Sequence, residues 1–200
     1  GRVVPIKDVK TYIRAVALLR REVPDIMALM MGPTDEDEDY YRECLQMVDH
    51  LDLKENFVFT GRVQLTEYLG QVDVMVLTSI SEAQPLVILE GGAAGIPTVS
   101  TDVGACRDML FGMPHEDPPL GTGGAITPLS NPAETARELA ALIKDPVYMA
   151  SARKAIKERV RKYYNKLEID RIYHELYVTF IAYETMPEDE RVKRARQEAA

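Results

Sequence analysis

The chain has 200 residues, of which 46% are hydrophobic, and a formal net charge of -8. A chain of this length forms one sizeable domain, with or without an appendage, and needs no metal or disulfide to stabilise its core. The negative charge argues against nucleic acid or an anionic membrane as a partner of the whole surface, although a local basic pocket could hold a phosphate.

Cys44 and Cys106 lie far apart in the sequence, without the spacing of a zinc site or a disulfide framework. No apolar run approaches the roughly 20 residues of a membrane helix, and no basic and then apolar leader is present. We therefore expect a cytoplasmic protein in a reducing compartment.

Short β-rich runs alternate with longer helical patterns, which predicts an α/β fold with a parallel sheet and flanking helices. Residues 1–7 have the character of a loop that follows a strand, so we expect the first strand of the sheet to lie upstream of this chain. In the first half, the predicted elements are helices over 8–21, 37–53 and 65–70 and strands over 25–32, 56–61 and 72–79.

Pro85 is predicted to begin a helix, because its fixed φ suits the first turn and its missing N–H is not needed there. That helix runs to about Ala94, Gly95 ends it, and a strand follows over 96–101.

Residues 111–124 are too rich in Pro and Gly to form a regular element. They either border a site or lead to a short strand near 125–127. From Asn131 onward the pattern predicts three helices, and the charged segment after Met186 is expected to fray.

Two carboxylates enclose an apolar run in "SISEAQPLVILEGGAAG", which places Glu82 in a loop and Glu90 two turns into the following helix. Ligands of an open parallel sheet bind beyond the carboxyl ends of its strands, and a helix N-terminus there suits a phosphate. A carboxylate accepts two hydrogen bonds from paired sugar hydroxyls. The two acids are therefore predicted to hold one sugar each, on either side of a diphosphate.

The phosphates need cations, and the N-terminal segment supplies Arg2 and Lys7, with Arg62 as a third candidate. Each of these residues also has a purely structural interpretation. Glu90 could face solvent, Glu82 could cap a helix, and the cations could be ordinary surface residues. Four other residues are interpreted as structural or surface residues: His50, Cys106, His115 and His174.

The order of these segments resembles a known family. The matching pieces are "GRVVPIKD", "FTGRV", "VDVMVLTSISEAQPLVILEGGAAGIPTVSTDVGACRDML" and "GGAITPLSNPAETARELAALIKDP", which cover residues 1 to about 165. They resemble the donor-binding C-terminal half of GT-B glycosyltransferases of group 1, family four of the retaining enzymes. "GPTDEDEDYYREC" is similar to the PelF-like subgroup, which works in exopolysaccharide synthesis. Many relatives have Glu-Gly-Phe-Gly where this chain has "EAQP", so the floor of the sugar pocket differs.

The resemblance implies a role for each matching residue. Arg2 and Lys7 are expected to hold the donor diphosphate, whereas Arg62 and Val63 contact the nucleobase. Glu82, the catalytic candidate, faces the transferred sugar, and Glu90 binds the ribose. Four residues are expected to lie against the sugar and the phosphates: Gln84, Pro85, Leu86 and Val87.

The resemblance also implies a domain plan. Residues 1–165 form a Rossmann-like domain for the nucleotide sugar, 166–186 form a helix that crosses back to an N-terminal domain, and 187–200 form a charged tail. Without that domain, the crossover helix exposes an apolar stripe that favours self-association. The stripe consists of Leu167, Ile172, Leu176 and Phe180.

The implied function is retaining hexosyl transfer from UDP-glucose, or another UDP-hexose, to a growing exopolysaccharide, without a metal or another cofactor. This chain supplies the donor site only and is expected to be inactive alone. Its partners are the polysaccharide acceptor, the N-terminal domain and membrane-bound export proteins, but no nucleic acid. Two alternatives stay open: a non-catalytic UDP-sugar-binding subunit of a polysaccharide export system, and a nucleotide-sugar epimerase of GT-B architecture. The epimerase needs an acid and a base in the cleft, and no His falls on the binding edge.

Overall fold

A computed structural model describes residues 1–188 and residue 191. Contacts divide the chain into two compact units, the first of which is Gly1–Arg161, while the second begins at Lys162. The predicted domain boundary at 165 stays a prediction. The expected fraying over 187–200 falls almost entirely outside the described residues.

The predicted alternation of strands and helices is confirmed, and the fold class is α/β. The strands are β1 (Ala28–Met31), β2 (Phe57–Gly61), β3 (Met75–Leu77), β4 (Thr98–Thr101) and β5 (Gly124–Thr127). The helices are α1 (Val9–Leu19), α2 (Glu38–His50), α3 (Leu65–Tyr68), α4 (Leu86–Ala93), α5 (Cys106–Phe111), α6 (Pro132–Lys144), α7 (Pro146–Tyr163) and α8 (Lys166–Thr185). Short 3₁₀ turns occur at Pro5–Lys7 and Leu69–Gln71.

Every strand pairing among the described residues is parallel, and the strands form two sheets. β1 pairs with β2, whereas β3, β4 and β5 form a second sheet in that order. The N-terminal segment joins the carboxyl ends of the two sheets. The amine of Gly1 donates to the carbonyl of Met31 (2.5 Å), and the amide of Ile80 donates to the carbonyl of Ile6 (2.8 Å). A further strand upstream of Gly1 stays a prediction.

Helix α1 contributes to both hydrophobic cores of the first unit. Asp8 is the predicted cap, and its carboxylate accepts a hydrogen bond from the amide of Thr11 at 3.2 Å. One part of the helix, including Val9 and Ile13, packs with β1, β2 and α2, whereas Ala15 and Leu19 pack with β4, β5 and α6. The amphipathic spacing of α1 therefore holds the layers of the two sheets together.

Two details differ from the sequence prediction. Helix α5 (Cys106–Phe111) was not predicted, because six residues are too few for a clear periodic pattern. Pro85 does not begin α4 but precedes it as the N-cap, with an extended backbone (φ -72°, ψ 111°). The predicted end of that helix is confirmed, since Gly95 adopts φ +78° and its amide donates to the carbonyl of Gly92.

The loop over 112–123 has no regular element, as expected, and leads into β5. The amide of Thr98 donates to the carbonyl of Gly123 at 3.2 Å, which places the end of the loop at the amino end of β4. Of the two interpretations of this loop, the connection to a short strand is confirmed, and the end of the loop lies at the sheet edge opposite to Glu82.

The second unit contains α8, which Asn165 caps through a hydrogen bond from the amide of Leu167 (3.1 Å). The apolar side chains of the predicted stripe are exposed: Leu167, Ile172, Leu176 and Phe180. Within the described part of the chain, no helix has the length and apolar character needed to cross a membrane.

Candidate functional site

The loop between β3 and α4 carries Glu82 and is fixed by hydroxyl groups at the carboxyl ends of the strands. Thr78 donates to the carbonyls of Lys7 and Asp8 at 3.0 Å, and Thr101 donates to the carbonyl of Ser79 at 2.6 Å. Thr78, Ser79 and Thr101 are all buried. The loop therefore starts from a rigid base, although it lies at the edge where a parallel sheet binds ligands.

The loop after β4 approaches the backbone of Glu82 so closely at Gly104 that only glycine fits there. Gly104 has φ +50°, and a Cβ atom there would lie 2.3 Å from the carbonyl oxygens of both Glu82 and Ala83. The adjacent amide of Ala105 donates to the carbonyl of Ala83 at 2.9 Å. Only a residue without a side chain allows this approach, so Gly104 helps to set the position of the Glu82 backbone.

The Glu82 carboxylate is held by two donors on a single oxygen. Its Oε1 accepts hydrogen bonds from Lys7 Nζ at 2.5 Å and from Ser79 Oγ at 2.6 Å. Burial raises the pKa of Glu82, but these two bonds and the positive charges of Lys7 and Arg2 together lower it by more. The pKa of Glu82 is therefore below its ordinary value. Glu82 is therefore an anion at neutral pH.

The N-terminal segment brings its cations to the same edge. Val3 is fully buried and its amide donates to the carbonyl of Pro33 at 2.9 Å. Arg2 is half-exposed and pairs with Glu36 at 3.0 Å. Lys7 pairs with Glu82 instead. Both cations are thus paired with carboxylates.

The charges of Lys7, Glu82 and Glu90 all act at the position of Gly1. Burial and the charge of Lys7 lower the pKa of the Gly1 amine, whereas the charges of Glu90 and Glu82 act in the opposite direction. All three side chains are therefore within electrostatic range of Gly1, and of the three only Lys7 and Glu82 are bonded to each other among the described residues. Arg2 belongs to the same group, because its charge acts on Glu82.

Glu90 is exposed on α4, and no ion pair or hydrogen bond of its carboxylate is found in the described part of the chain. Exposure alone fits the structural interpretation of a solvent-facing residue. Its charge, however, acts on the Gly1 amine at the ligand edge. The carboxylate is therefore exposed and within electrostatic range of this edge.

Helix α4 begins at this edge without a side-chain cap. Pro85 is buried as the N-cap, and the first-turn residues Leu86 and Val87 follow it. Gln84 is exposed in the loop just before. The first amides of a helix have no partner within the helix and carry its positive dipole end, so an anion is favoured at this position.

Arg62 and Val63 follow β2, and Arg62 is highly exposed. Its guanidinium lies 3.7 Å from a carboxylate oxygen of Asp35. Arg62 and Arg2 are thus both paired with acids of one loop, which follows β1. The structure does not connect Arg62 or Val63 to the Glu82 cluster by any bond among the described residues.

Sequence reasoning missed several residues that shape this edge. In the acidic run over 35–39, Asp37 caps α2, whereas Asp35 and Glu36 pair with Arg62 and Arg2. Ser79 was also missed, although its place two residues after β3, at the edge where ligands bind, was a usable signal. Among the described residues, no group of three or more potential metal ligands is present.

The chain is similar in sequence to known proteins of one family. The profile of the family Glycosyl transferases group 1 matches residues 1–145. Over 173 residues, the chain is 26% identical to N-acetyl-alpha-D-glucosaminyl L-malate synthase of Bacillus anthracis, covering 86% of the chain and 42% of that protein. A D-inositol 3-phosphate glycosyltransferase of Arthrobacter sp. is 28% identical over 149 residues, covering 73% of the chain and 34% of that protein. The chain thus spans less than half the length of these curated relatives.

Solved structures share the fold. Anabaena HepE in complex with UDP and glucose has a TM-score of 0.78 at 21% identity, covering 90% of the chain and 47% of HepE. The C-terminal domain of LpcC, a group 1 glycosyl transferase of Francisella tularensis, has a TM-score of 0.72 at 22% identity, covering 83% of the chain and 84% of that domain. The fold is that of a GT-B C-terminal domain, and the chain belongs to the group 1 glycosyltransferases.

Proposed function

We propose that this chain forms the donor site of a retaining glycosyltransferase and binds a UDP-hexose, with UDP-glucose as the best candidate. The observation that carries the proposal is the pair of Lys7 and Glu82, 2.5 Å apart at the carboxyl edge of the sheets, beside the start of α4, which has no side-chain cap. A nucleoside diphosphate sugar is a ligand that needs both signs of charge close together, because it presents phosphates between two sets of hydroxyl groups.

The diphosphate is assigned to the two cations and to the N-terminus of α4. Lys7 and Arg2 provide charge-assisted hydrogen bonds, and the amides of Leu86 and Val87 carry the positive end of the helix dipole. Both cations now pair with carboxylates, Glu82 and Glu36. Phosphate therefore has to replace a carboxylate at each cation, and the proposal needs no metal to neutralise it.

The two acids are assigned to hydroxyl groups on opposite sides of the diphosphate. Glu90 has no bond that it must give up within the described residues, and it accepts the two ribose hydroxyls. Glu82, an anion of lowered pKa, faces the transferred hexose. Arg62 and Val63 contact the uracil, while Gln84 and Pro85 line the sugar.

The sequence resemblance assigns a front-face displacement as the mechanism. The sugar leaves the diphosphate on the face from which the acceptor enters, which retains the anomeric configuration. Lys7, Arg2 and the helix N-terminus stabilise the negative charge on the leaving diphosphate, and Glu82 positions the ring and stabilises its developing positive charge. No covalent nucleophile from this chain is involved.

The acceptor side is assigned to an N-terminal domain that this chain does not contain. The similarity to HepE and LpcC concerns the fold alone. The assignment of the acceptor therefore depends on the sequence resemblance to PelF-like enzymes. That resemblance assigns a growing exopolysaccharide as acceptor, membrane-bound export proteins as partners, and a cytoplasmic site of action. The exposed stripe on α8 is the surface assigned to the N-terminal domain, or to self-association in its absence.

Sugar transfer from UDP-glucose by the full natural chain that carries this sequence tests the proposal. Native protein is expected to transfer glucose, and Glu82→Ala to lose about 100-fold or more in rate, by analogy with the loss of one group that stabilises transition-state charge. A protein that binds UDP-glucose without transfer in either form would be the non-catalytic subunit. Release of a UDP-sugar with altered configuration would identify the epimerase.

A further inference from the structure

Ser79 is a buried serine next to the proposed sugar site. Its side chain is fully buried, yet its Oγ donates a hydrogen bond to Glu82 Oε1 at 2.6 Å. Lys7 Nζ donates to the same oxygen at 2.5 Å. Two donors from different parts of the sequence thus converge on one oxygen of one carboxylate.

The serine is itself held on both sides. Thr101, at the end of β4, donates to the carbonyl of Ser79 at 2.6 Å, and the next amide, that of Ile80, donates to the carbonyl of Ile6 at 2.8 Å. Thr101 is also fully buried. The backbone of Ser79 is therefore held in place by the core, and its short side chain fixes the position of the hydroxyl. The Lys7 ammonium, by contrast, is at the end of a long and partly exposed side chain.

The two oxygens of Glu82 are not equivalent. Oε1 accepts both bonds, whereas no bond of Oε2 is found in the described part of the chain. A carboxylate accepts about four hydrogen bonds in total, so Oε2 has its full capacity left. Fixing one oxygen sets the orientation of the carboxylate plane and therefore of the other oxygen.

Lys7 has two proposed tasks that conflict. In this structure it pairs with Glu82, but in the proposed donor complex it binds the diphosphate. When the phosphate draws Lys7 away, the carboxylate loses one of its two donors. Ser79 is the donor that stays, because its hydroxyl is buried and out of reach of the phosphate.

We propose that Ser79 is a positioning residue for the donor sugar: it holds Oε1 of Glu82 so that Oε2 accepts a hydrogen bond from a hexose hydroxyl. This inference rests on the proposed function. It assigns discrimination between UDP-hexose and UDP to a residue that does not touch either ligand.

The experiment compares the affinities of UDP and UDP-glucose by calorimetry for Ser79→Ala. We expect the affinity for UDP to stay within about twofold and the affinity for UDP-glucose, relative to UDP, to fall about fivefold to tenfold, which is in the range of one ordinary hydrogen bond. Ser81→Ala is the matched control, because Ser81 is an exposed serine of the same loop. The inference is overturned if Ser79→Ala leaves both affinities unchanged, or if it lowers the affinities for UDP and UDP-glucose by the same factor.

Two further variants separate positioning from folding. Ser79→Cys keeps nearly the same side-chain volume, but a thiol is a weak donor. This variant should therefore lower the affinity for UDP-glucose relative to UDP without unfolding the loop. In a Glu82→Ala background, Ser79→Ala should cause no further change, whereas a merely structural serine would add its own loss. If the native chain binds no UDP, the proposed function fails. If UDP binds but the ratio is insensitive to Ser79, only this inference fails.

Discussion

Two carboxylate–cation pairs in the first unit have similar bond lengths and very different surroundings. Glu116 and Arg159 lie at the edge of the 112–123 loop, with side chains 6% and 1% exposed and contacts of 2.6 Å and 2.7 Å. Glu82 and Lys7 lie at the ligand edge, 13% and 22% exposed, with one contact of 2.5 Å. Distance alone does not distinguish them.

The difference is in how completely each carboxylate is used. Both oxygens of Glu116 bond Arg159, and one also accepts from the amide of Leu120 at 2.9 Å. Arg159 additionally donates to the carbonyls of Leu110 and Gly121. A buried pair with this many bonds anchors a loop, because breaking it leaves an uncompensated charge. Glu82, by contrast, leaves one oxygen for a ligand.

The largest expected effect concerns stability and the Glu116–Arg159 pair, which anchors the loop. Arg159→Ala should lower the free energy of unfolding by about 3–5 kcal/mol, because Glu116 would stay buried without its cation. Lys7→Ala should lower it by about 1 kcal/mol or less, because the pair is partly exposed to solvent. Urea unfolding at neutral pH measures both, and equal losses would remove the distinction between the two pairs.

The next effect concerns ligand binding and the Glu82–Lys7 pair. Lys7→Ala should weaken UDP binding by about 1.5–3 kcal/mol, the value of a hydrogen bond to a charged group, and leave uridine binding unchanged. Calorimetry with both ligands gives the difference. Lys54→Ala is the matched control, since Lys54 also pairs with a carboxylate, that of Asp49, but on an exposed surface. Equal losses for UDP and uridine would mean that Lys7 does not contact phosphate.

Glu90 extends the comparison to a carboxylate with no pair at all within the described residues. Glu90→Ala should weaken UDP binding by about 1–3 kcal/mol through loss of the ribose contacts. The affinity for UDP, measured by calorimetry, should be unchanged in Glu55→Ala, because Glu55 is also exposed but precedes β2 at the opposite edge. The ribose assignment does not survive if Glu90→Ala binds UDP as native protein does.

The sequence predicted what depends on local pattern. Helix α1 and its cap Asp8 follow from an apolar spacing and one carboxylate, and the end of α4 follows from Gly95, which adopts the left-handed conformation. The edge location of Glu82 follows from one general rule about parallel sheets. These features need only residues that are close in sequence.

The rest depends on residues that are distant in sequence. No local pattern pairs Arg2 with Glu36 or Arg62 with Asp35, and none brings Lys7 to Glu82, 75 positions away. The need for glycine at position 104 arises only when the carbonyl of Glu82 approaches from another loop. Ser79 looks like an ordinary strand residue until its neighbours are placed. Long-range contacts of this kind require coordinates.

The smallest expected effect concerns pH and applies to Glu82 alone. Its pKa in the folded chain is below the ordinary value of 4.5, because Lys7, Ser79 and Arg2 stabilise the anion more than burial disfavours it. A group with a lowered pKa stabilises the folded state above its unfolded pKa, and this contribution is lost as the pH falls through the folded pKa. Between about pH 6 and about pH 3, native protein should therefore lose more stability than Glu82→Gln, by about 1 kcal/mol or less.

Urea unfolding of both proteins across this range measures the difference. The Glu116–Arg159 pair is present in both proteins, so its own contribution cancels, and the difference isolates the edge pair. Parallel curves would mean that the Glu82 carboxylate is not held by Lys7 and Ser79 in solution. In that case Oε2 has no fixed orientation, and the contrast between a saturated structural pair and a half-used pair at the ligand edge is lost.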